Sequence, residues 1–478
     1  MKVSSFSVRF RASAIAAGLS VFALAAIATP AQAAGPHMSP RLTYVQGPGI
    51  STLASSAVPH PCLFQGASCY GPYDLGKIYN FPSKLDGRGQ TIIVVDAYGS
   101  PTIAADLATF DRYFRVPAPR SLKIIHAAGI PGVTGSGDLV GWGVETSLDV
   151  EYAHAMAPGA NIVLAVAATD NNYDINAAEA QVFPRYPGAI VSQSFGDWET
   201  DATAGTSFAD EHKIFQAATR LGDTLIASAG DLGATWTRAT GKTSPAVASY
   251  PASDPLVTSV GGTQGNPYPG GLEVKGAYGG EATWNEPKPI DGATGGAPSV
   301  LFKAPSWQRG VTGYSTRTIP DVAYDAAVNG GVEVIASPYI WLVGGTSVGS
   351  PQWAAIFALV NQARASAEHD SIGFANAALY KLGTQGARSD RSAQGDERSS
   401  SAVFHDITVG NNALDSTVGF SAKRGYDLTT GWGTPNVANL VAALAGEGSD
   451  RNPEANDPAS GHGSSSSNGH APNTMSPG

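Results

Sequence analysis

Short apolar runs alternate with longer amphipathic segments through the middle of this chain. Five runs of branched and aliphatic residues are predicted strands, at positions 91–95, 161–167, 189–194, 224–228 and 257–260. Four segments with helical periodicity are predicted helices, at positions 101–114, 144–156, 208–221 and 350–365. Because continuous apolar strands that alternate with helices form parallel sheets covered on both faces, the pattern predicts an α/β fold.

The two ends of the chain differ in composition from this core. Residues 1–33 combine three basic residues, a short apolar run and Ala31-Gln32-Ala33, which is typical of a secretory signal peptide cleaved after Ala33. A membrane anchor is the alternative, but the apolar run is short and ends in small residues. Residues 447–478 are rich in Gly, Ser, Pro and Asn, which predicts a disordered tail. We therefore expect a secreted protein with no membrane segment in its mature form.

A polar segment at positions 34–72 precedes the core, which we place at 73–446. The segment contains the two cysteines of the chain, Cys62 and Cys69. An even cysteine count in an exported chain predicts one small disulfide loop, and two free thiols are the alternative. Within the core, the polar stretch at 383–401 is predicted to be a surface loop.

The charge of the chain narrows the class of partner. Lysine and arginine number 29 against 39 aspartates and glutamates, the formal net charge is −10, and the core has no sizeable basic cluster. Nucleic-acid binding requires a basic surface, so we expect no nucleic-acid partner. The 57 glycines and the low charged fraction of 14% are typical of a loop-rich extracellular enzyme, which we expect to be a monomer.

The strongest candidate for chemistry is Ser347, which sits in a Gly-Gly-Thr-Ser turn before the helix predicted at 350–365. A serine hydroxyl needs a general base, and the histidine that shares a helix with acidic residues is His154. At about 100° per residue, His154 lies about 180° around that helix from Glu145, whereas Asp149 lies only about 40° from it. The face that carries Glu145 and Asp149 therefore excludes His154, for which we predict an ordinary structural hydrogen bond.

The pairing of Glu145 with Asp149 predicts that one of these carboxyls acts as a general base. Two carboxyls four residues apart on a buried helix relax by sharing a proton, so that one remains a base supported by the other. A carboxylate base has a reference pKa near roughly 4 and works best in acid. Asp231 follows the strand predicted at 224–228, and its carboxyl is a good oxyanion donor only when protonated, which also requires acid. A solvated acidic helix face and a Gly-Asp turn are the alternatives.

These motifs, in this order, closely resemble the sedolisins, the serine-carboxyl peptidases with a subtilisin-like fold. The matching stretches span about residues 70–445 and include GVETSLDVEYAHAMAPGANIVLA, LIASAGDLGA, GGTSVGSPQWAAI and FHDITVGNN. The resemblance implies a three-layer sandwich, with a central mainly parallel sheet and helices on both faces. It also implies that Ser347 is the nucleophile, Glu145 the general base and later the general acid, Asp149 its support, and Asp231 the protonated oxyanion donor beside the Ser347 N–H.

The resemblance further implies one structural Ca²⁺. Its ligands would be the side chains of Asp406 and Asp427 and the carbonyl oxygens of Ile407, Lys423 and Gly425. Lys423 stands where the family usually has glycine, and its ammonium group would weaken cation binding. Asp96 replaces a common glutamate and Phe195 a frequent tryptophan, while Gly344 stands where serine is commoner. The predicted substrate edge is Ser194, Phe195 and Gly196, which bind a peptide as an added strand.

The predicted function is that of an acid-acting, secreted serine-type endopeptidase, which hydrolyses peptide or protein substrates. One alternative is a catalytically silent secreted binding protein on the same fold. Tripeptidyl-peptidase activity is another, and a neutral hydrolase that uses His154 or His405 is a third.

Overall fold

A computed structural model describes most of the core. The described residues are 37–40, 42–51, 69–127, 138–201, 204–235, 245–265, 278–392, 402–414 and 419–446, and all belong to one compact unit. The predicted signal peptide at 1–33, Cys62 and the predicted tail at 447–478 lie outside the described residues. Cys69 is disulfide-bonded.

The described residues form eight α-helices. They are α1 (Pro72–Ile78), α2 (Ile103–Phe114), α3 (Asp138–Met156), α4 (Asn172–Val182), α5 (Ser207–Arg220), α6 (Gly349–Ser366), α7 (Asn376–Ser392) and α8 (Val437–Ala445). None of these helices is both long and apolar enough to cross a bilayer.

The strands of the described residues are, in chain order, β1 (Ser39–Pro40), β2 (Thr43–Gly49), β3 (Cys69–Tyr70), β4 (Thr91–Ala97), β5 (Ser121–His126), β6 (Asn161–Ala167), β7 (Ile190–Gln193), β8 (Phe195–Trp198), β9 (Thr224–Ser228), β10 (Ser249–Tyr250), β11 (Val257–Gly265), β12 (Glu281–Thr283), β13 (Asn285–Glu286), β14 (Gly292–Ala293), β15 (Pro298–Lys303), β16 (Thr316–Thr318), β17 (Val322–Asp325), β18 (Gly331–Ala336), β19 (Tyr339–Gly344), β20 (Phe404–His405) and β21 (Thr434–Pro435).

The central sheet has the order β12-β11-β9-β7-β4-β6-β5, with β17 also paired to β11. Every pair in it is parallel except the antiparallel pair of β11 and β12. The inner strands β4 and β6 are apolar along nearly their whole length, as expected for strands that helices cover on both faces. The predicted α/β fold is therefore confirmed.

Alternate residues of the central strands pack against different helices, which makes three layers. Ile92 and Val94 of β4 lie in a core with residues of α2, α3, α6 and α8. Ile93 and Val95 lie in a second core with residues of α4 and α5. We call the face toward α2, α3, α6 and α8 the front of the sheet and the face toward α4 and α5 the back. Successive residues of a strand point to opposite faces, so they belong to different cores.

A second sheet, of order β2-β19-β18-β3, carries the chain into the nucleophile turn. Its β18–β19 hairpin is antiparallel, and Ser347 follows β19. The turn therefore follows a strand of this second sheet, although parallel sheets usually carry their sites at the ends of their own strands. The turn is instead brought to the front of the parallel sheet by α6, whose residues lie in the front core.

Most predicted elements agree with the structure to within a few residues. The largest error is the loop predicted at 383–401, because α7 continues as far as Ser392. The polar residues at 383–388 lie on the exposed side of an amphipathic helix, and positions 393–401 are outside the described residues. The other side of α7 supplies Leu379 and Leu382 to the front core.

Candidate active site

Helix α3 presents two acidic residues to the interior from the front of the sheet. Glu145 and Asp149 are both fully buried, as the apolar surroundings predicted by the sequence require. His154 is also buried, but its Nε2 lies 2.9 Å from the carbonyl oxygen of Pro117 and 3.3 Å from Oδ1 of Asp111. The histidine therefore lies on the other side of the helix, with a structural partner.

Asp96, at the carboxyl end of β4, joins these two acids. Both oxygens of Asp96 and both oxygens of Glu145 are buried, and no described residue forms a hydrogen bond to them. Burial raises the pKa of Asp96 and Glu145 well above their usual values, and the charge of Asp149 raises both further. Burial also raises the pKa of Asp149, which the Ser194 hydroxyl partly opposes. Ionising all three would be very unfavourable, so the cluster retains protons at pH values where exposed carboxyls have lost them.

The nucleophile turn requires glycine at two positions. Gly345 has a φ of 114°, in the region that favours glycine. A Cβ on Gly344 would lie 2.6 Å from the backbone nitrogen of Val328 and 2.7 Å from the carbonyl oxygen of Ala326. There is thus no room in this chain for the serine that is commoner at position 344 in the resembling family.

The turn delivers the Ser347 hydroxyl between β7 and α3. Ser347 is fully buried, and its Oγ donates to the carbonyl oxygen of Ser194 at 3.3 Å. The Ser194 hydroxyl in turn donates to Oδ1 of Asp149 at 2.8 Å. The Ser347 hydroxyl also lowers the pKa of Glu145, against the larger effect of burial. Because no described residue forms a hydrogen bond to Glu145, the Ser347 hydroxyl is near the carboxyl but beyond hydrogen-bonding distance. Catalytic contacts of this kind shorten when substrate binds.

Asp231 lies on the other side of the turn, in the loop after β9. Its Oδ1 accepts the backbone N–H of Thr346 at 2.9 Å and the Thr346 hydroxyl at 2.8 Å. The Thr346 hydroxyl oxygen also accepts the N–H of Gly230 at 3.0 Å. These contacts fix the Asp231 carboxyl directly beside the residue before Ser347. The negative charge of Asp231 is close enough to raise the pKa of Glu145.

The structure brings together all four residues predicted for catalysis. It adds Thr346, which the sequence patterns do not single out because a threonine before a serine carries no recognisable signal. It also shows that Asp96 belongs to the buried acidic cluster with Glu145 and Asp149, which the sequence context of Asp96 did not indicate. The positions of three polar residues along the sequence also point to the site. Asp96 lies at the carboxyl end of β4, Ser194 follows β7 and Asp231 follows β9. These three strands are neighbours in the central sheet.

The predicted substrate strand, Ser194 to Gly196, overlaps β8, which is the middle strand of a three-stranded sheet rather than an edge. β8 pairs with β10 on one side and with β1, from the N-terminal segment, on the other. Phe195 is fully buried within the back core. Nearby, a cavity of about 550 Å³ opens between the ends of β4, β5 and β6 and the first turns of α3. It is lined by Tyr98, Gly99, Ser100, Pro101, Ile124, His126, Leu139, Gly143, Leu164 and Val166.

The residues predicted to hold calcium lie in two neighbouring loops. Asp406 Oδ2 accepts the N–H of Gly425 at 2.7 Å, and Asp427 Oδ2 accepts the N–H of Lys423 at 2.9 Å. Asp427 is buried, which raises the pKa of its carboxyl, while the side chain of Lys423 is exposed and free to point away from a cation. Among the described residues there is no cluster of three His, Cys, Asp or Glu side chains. The predicted ligands are two carboxylates and three carbonyls, and oxygen ligands are those that Ca²⁺ prefers.

Comparison with known proteins places this arrangement in a family context. The chain is 33% identical over 398 residues to kumamolisin of Bacillus sp. (strain MN-32), which covers 81% of the chain and 65% of the relative. It is 29% identical over 396 residues to sedolisin of Pseudomonas sp. (strain 101), which covers 80% of the chain and 62% of the relative. The chain thus spans less than two thirds of the length of these curated relatives. No family model matches it.

A solved structure gives the same result. Pseudomonas sedolisin, described as a serine-carboxyl proteinase complexed with two molecules of pseudo-iodotyrostatin, superposes with a TM-score of 0.68 at 28% identity. The match covers 80% of this chain and 99% of the solved chain. In sequence and in fold, the chain is therefore a relative of the sedolisins.

Proposed function

We propose that this chain is a secreted, acid-acting serine-type endopeptidase. The observation that carries the proposal is the buried cluster of Asp96, Glu145 and Asp149 beside the Ser347 hydroxyl. None of the ion pairs among the described residues involves these three acids, and their burial favours the protonated forms. A serine that depends on such a cluster has a base in acid, where a histidine base would be protonated.

In the proposed mechanism, Ser347 Oγ attacks the carbonyl carbon of the scissile peptide bond while its proton passes to the Glu145 carboxylate. Asp149 holds a proton and stabilises the ionised form of its neighbour, and Ser194 fixes Asp149 through a 2.8 Å hydrogen bond. Glu145 then gives the proton to the leaving amine. Water hydrolyses the resulting ester by the reverse sequence, with Glu145 again as the base.

The oxyanion that forms on the carbonyl oxygen is stabilised by the Ser347 N–H and by a proton on Asp231. Thr346 occupies Oδ1 of Asp231 with two donors, which orients the carboxyl. Preorganised donors of this kind lower the barrier because they need no rearrangement during the reaction. A protonated Asp231 serves this purpose only in acid, in agreement with the carboxylate base.

The test is a pH–rate profile of the purified chain on a peptide library and on a denatured protein. We expect cleavage with an acidic optimum, and a loss of several powers of ten in rate in Ser347→Ala. Undiminished cleavage by Ser347→Ala would contradict the proposal. Absence of cleavage, together with no labelling of Ser347 by a peptide-aldehyde or fluorophosphonate probe from about pH 3 to 7, would favour the silent binding protein.

We also propose that Asp406, Asp427 and the carbonyls of Ile407, Lys423 and Gly425 hold one structural Ca²⁺. A bound cation would neutralise the buried Asp427 carboxylate and join the two loops. Because an ion that binds only the folded state stabilises it by about 2.7 kcal/mol at a hundredfold excess over its dissociation constant, chelation should lower Tm by several degrees. Asp427→Asn should have a lower Tm that no longer responds to chelator. A wild-type Tm unchanged by excess EGTA would contradict the site.

A further inference from the structure

The nucleophile turn rests on the backbone of residues 326–328, which we call the seat of the turn. The N–H of Gly345 donates to the carbonyl oxygen of Ala326 at 2.7 Å. Gly344 lies so close to the seat that an added Cβ would be 2.6 Å from a backbone nitrogen there. Ser347 follows these contacts within three residues, so a movement of the seat would move the nucleophile as well.

Carboxyl groups hold the seat at both of its ends. Glu286 of β13 accepts the N–H of Val328 at 2.7 Å and that of the next residue at 3.0 Å. At the other end, the N–H of Asp325 donates to the Tyr79 hydroxyl oxygen at 3.0 Å. The Tyr79 hydroxyl in turn donates to Oε1 of Glu281 at 2.7 Å. The position of the seat therefore depends on two glutamates that lie outside the catalytic cluster.

Asp325, the last residue of β17, is a third carboxyl at the seat. It is fully buried, and no described residue forms a hydrogen bond to its carboxyl oxygens. Burial raises the pKa of Asp325 well above its usual value, and the charges of Glu281 and Glu286 raise it further. The backbone N–H groups of Ala326 and Ala327 oppose this rise only in part. In acid, Asp325 therefore carries a proton.

The titratable side chains that the structure places near Asp325 are acidic or phenolic. Besides the two glutamates, they are Tyr79 and Tyr324, and the charge of Asp325 adds to the effect of burial in raising the pKa of Tyr324. None of the ion pairs among the described residues includes Asp325, Glu281 or Glu286. An ionised Asp325 would thus be a buried and unpaired charge beside two other carboxyls, which is strongly unfavourable.

We propose that Asp325 is a positioning residue that keeps the nucleophile turn in place only while its carboxyl carries a proton. Loss of the proton drives the seat away from Glu281 and Glu286, and the displaced turn takes Ser347 out of reach of Glu145. This inference rests on the proposed peptidase function. It goes beyond that function because activity at higher pH is then limited by a group that touches none of the reacting atoms.

The experiment measures the pH profile of kcat in an Asp231→Asn background, in which the oxyanion donor does not titrate. Asp325→Asn keeps the shape of the side chain and stays neutral at every pH. Adding it should move the alkaline midpoint of kcat to higher pH by roughly one unit, because the charge that displaces the seat no longer forms. KM at the acidic optimum should not change.

Asp223→Asn, added to the same background, is the matched control. Asp223 is also buried, which raises the pKa of its carboxyl to about 7. It precedes β9 at the amino end of that strand, where its Oδ1 accepts the N–H of Ala189 at 3.0 Å. It is therefore at the opposite end of the sheet from the nucleophile turn, and its substitution should leave the pH profile of kcat unchanged.

A second variant should shift the profile in the opposite direction. Glu281→Gln retains an acceptor for the Tyr79 hydroxyl but removes one of the charges that favour the proton on Asp325. The alkaline midpoint of kcat should therefore move to lower pH by roughly one unit. A merely structural role for these residues predicts losses at every pH and no shifts of opposite sign.

The outcomes separate this inference from the proposed function. If the profile of the Asp325→Asn variant superimposes on that of its background, the inference is overturned and the proposed function stands. If circular dichroism shows that Asp325→Asn does not fold, Glu281→Gln decides, and an unshifted midpoint overturns the inference. If wild type cleaves no peptide from about pH 3 to 7 and a fluorophosphonate probe does not label Ser347, the proposed function fails and the inference fails with it.

Discussion

Buried acids lie on both faces of the central sheet, and they differ in their partners. On the front face, Glu145 and Asp149 of α3 face hydroxyl groups, those of Ser347 and Ser194. On the back face, Glu179 of α4 accepts from the Gln193 amide and Glu211 of α5 accepts from the Asn172 amide, each at 2.8 Å. All four acids are fully buried.

Burial raises the pKa on both faces, to about 8 for Glu211 and well above the usual value for the other three. A raised pKa therefore does not separate a catalytic acid from a structural one. Their partners separate these four acids, because Glu145 alone among them faces Ser347, whose hydroxyl can give up its proton and attack, whereas an amide N–H only orients a carboxyl. β7 shows the division within one strand, because Gln193 faces the back pair and Ser192 bonds to Ser350 of α6 at the front.

The largest effect should come from the same substitution made on each face. Glu145→Gln keeps the shape of the side chain but removes the base, and the rate should fall by three or more powers of ten. Glu211→Gln also keeps the shape and leaves the Asn172 amide with an acceptor, so its rate should stay within a few-fold of wild type. Steady-state kinetics at the acidic optimum measure both.

Circular dichroism should show that both glutamine variants are folded, so that the comparison concerns chemistry alone. Similar losses in the two variants would mean that the front cluster has no special role. The two faces would then differ in structure but not in their contribution to catalysis.

The sequence predicted the front site well because its residues carry local signals. Ser347 sits in a glycine turn, Glu145 and Asp149 share one face of a helix, and Asp231 follows a strand within three residues. The back pair has no such signal, since Glu179 and Glu211 lie on different helices and meet only through the tertiary packing. The same limit explains why Thr346 was not identified.

The N-terminal segment was beyond sequence reasoning for a different reason. β1 has only two residues and β2 is polar and rich in glycine, and the pairing of both depends on partners more than 150 residues away. Strand pairing at that distance leaves no periodic pattern in a single sequence. The segment at 383–392 shows the opposite error. Its polar composition predicted a loop, although these residues belong to helix α7.

An intermediate effect should separate a protonated Asp231 from an ionised one. Asp231→Ala removes an oxyanion donor and should lower kcat by about 10²- to 10³-fold with little change in KM. Asp231→Asn keeps an oxygen for the two Thr346 donors and supplies an N–H that does not titrate. Its loss should be smaller, and its kcat should fall less steeply than that of wild type as the pH rises.

The pH profiles of kcat for wild type, Asp231→Asn and Asp231→Ala decide between the two states of the carboxyl. If Asp231→Asn and wild type decline in parallel on the alkaline side, Asp231 does not act as a proton-bearing donor. Thr346→Ser, which retains the hydroxyl and the N–H, is the matched control and should resemble wild type.

The smallest effect concerns stability and belongs to the back face. The pKa of Glu211 is raised by burial from 4.5 to about 8, so the folded chain keeps a proton that the unfolded chain has lost. The resulting stabilisation is complete below about pH 4.5 and is lost as the pH rises to about 8, by an amount of order a few kcal/mol. Glu211→Gln should therefore flatten the decline in free energy of unfolding between these pH values. Urea unfolding in a Ser347→Ala background measures this slope without self-digestion, and Glu368→Gln, at an exposed site, should leave it unchanged. A slope that Glu211→Gln leaves intact would assign the decline to other carboxyls whose pKa is raised by burial, such as Glu179, Asp223 and Asp325 or the front cluster.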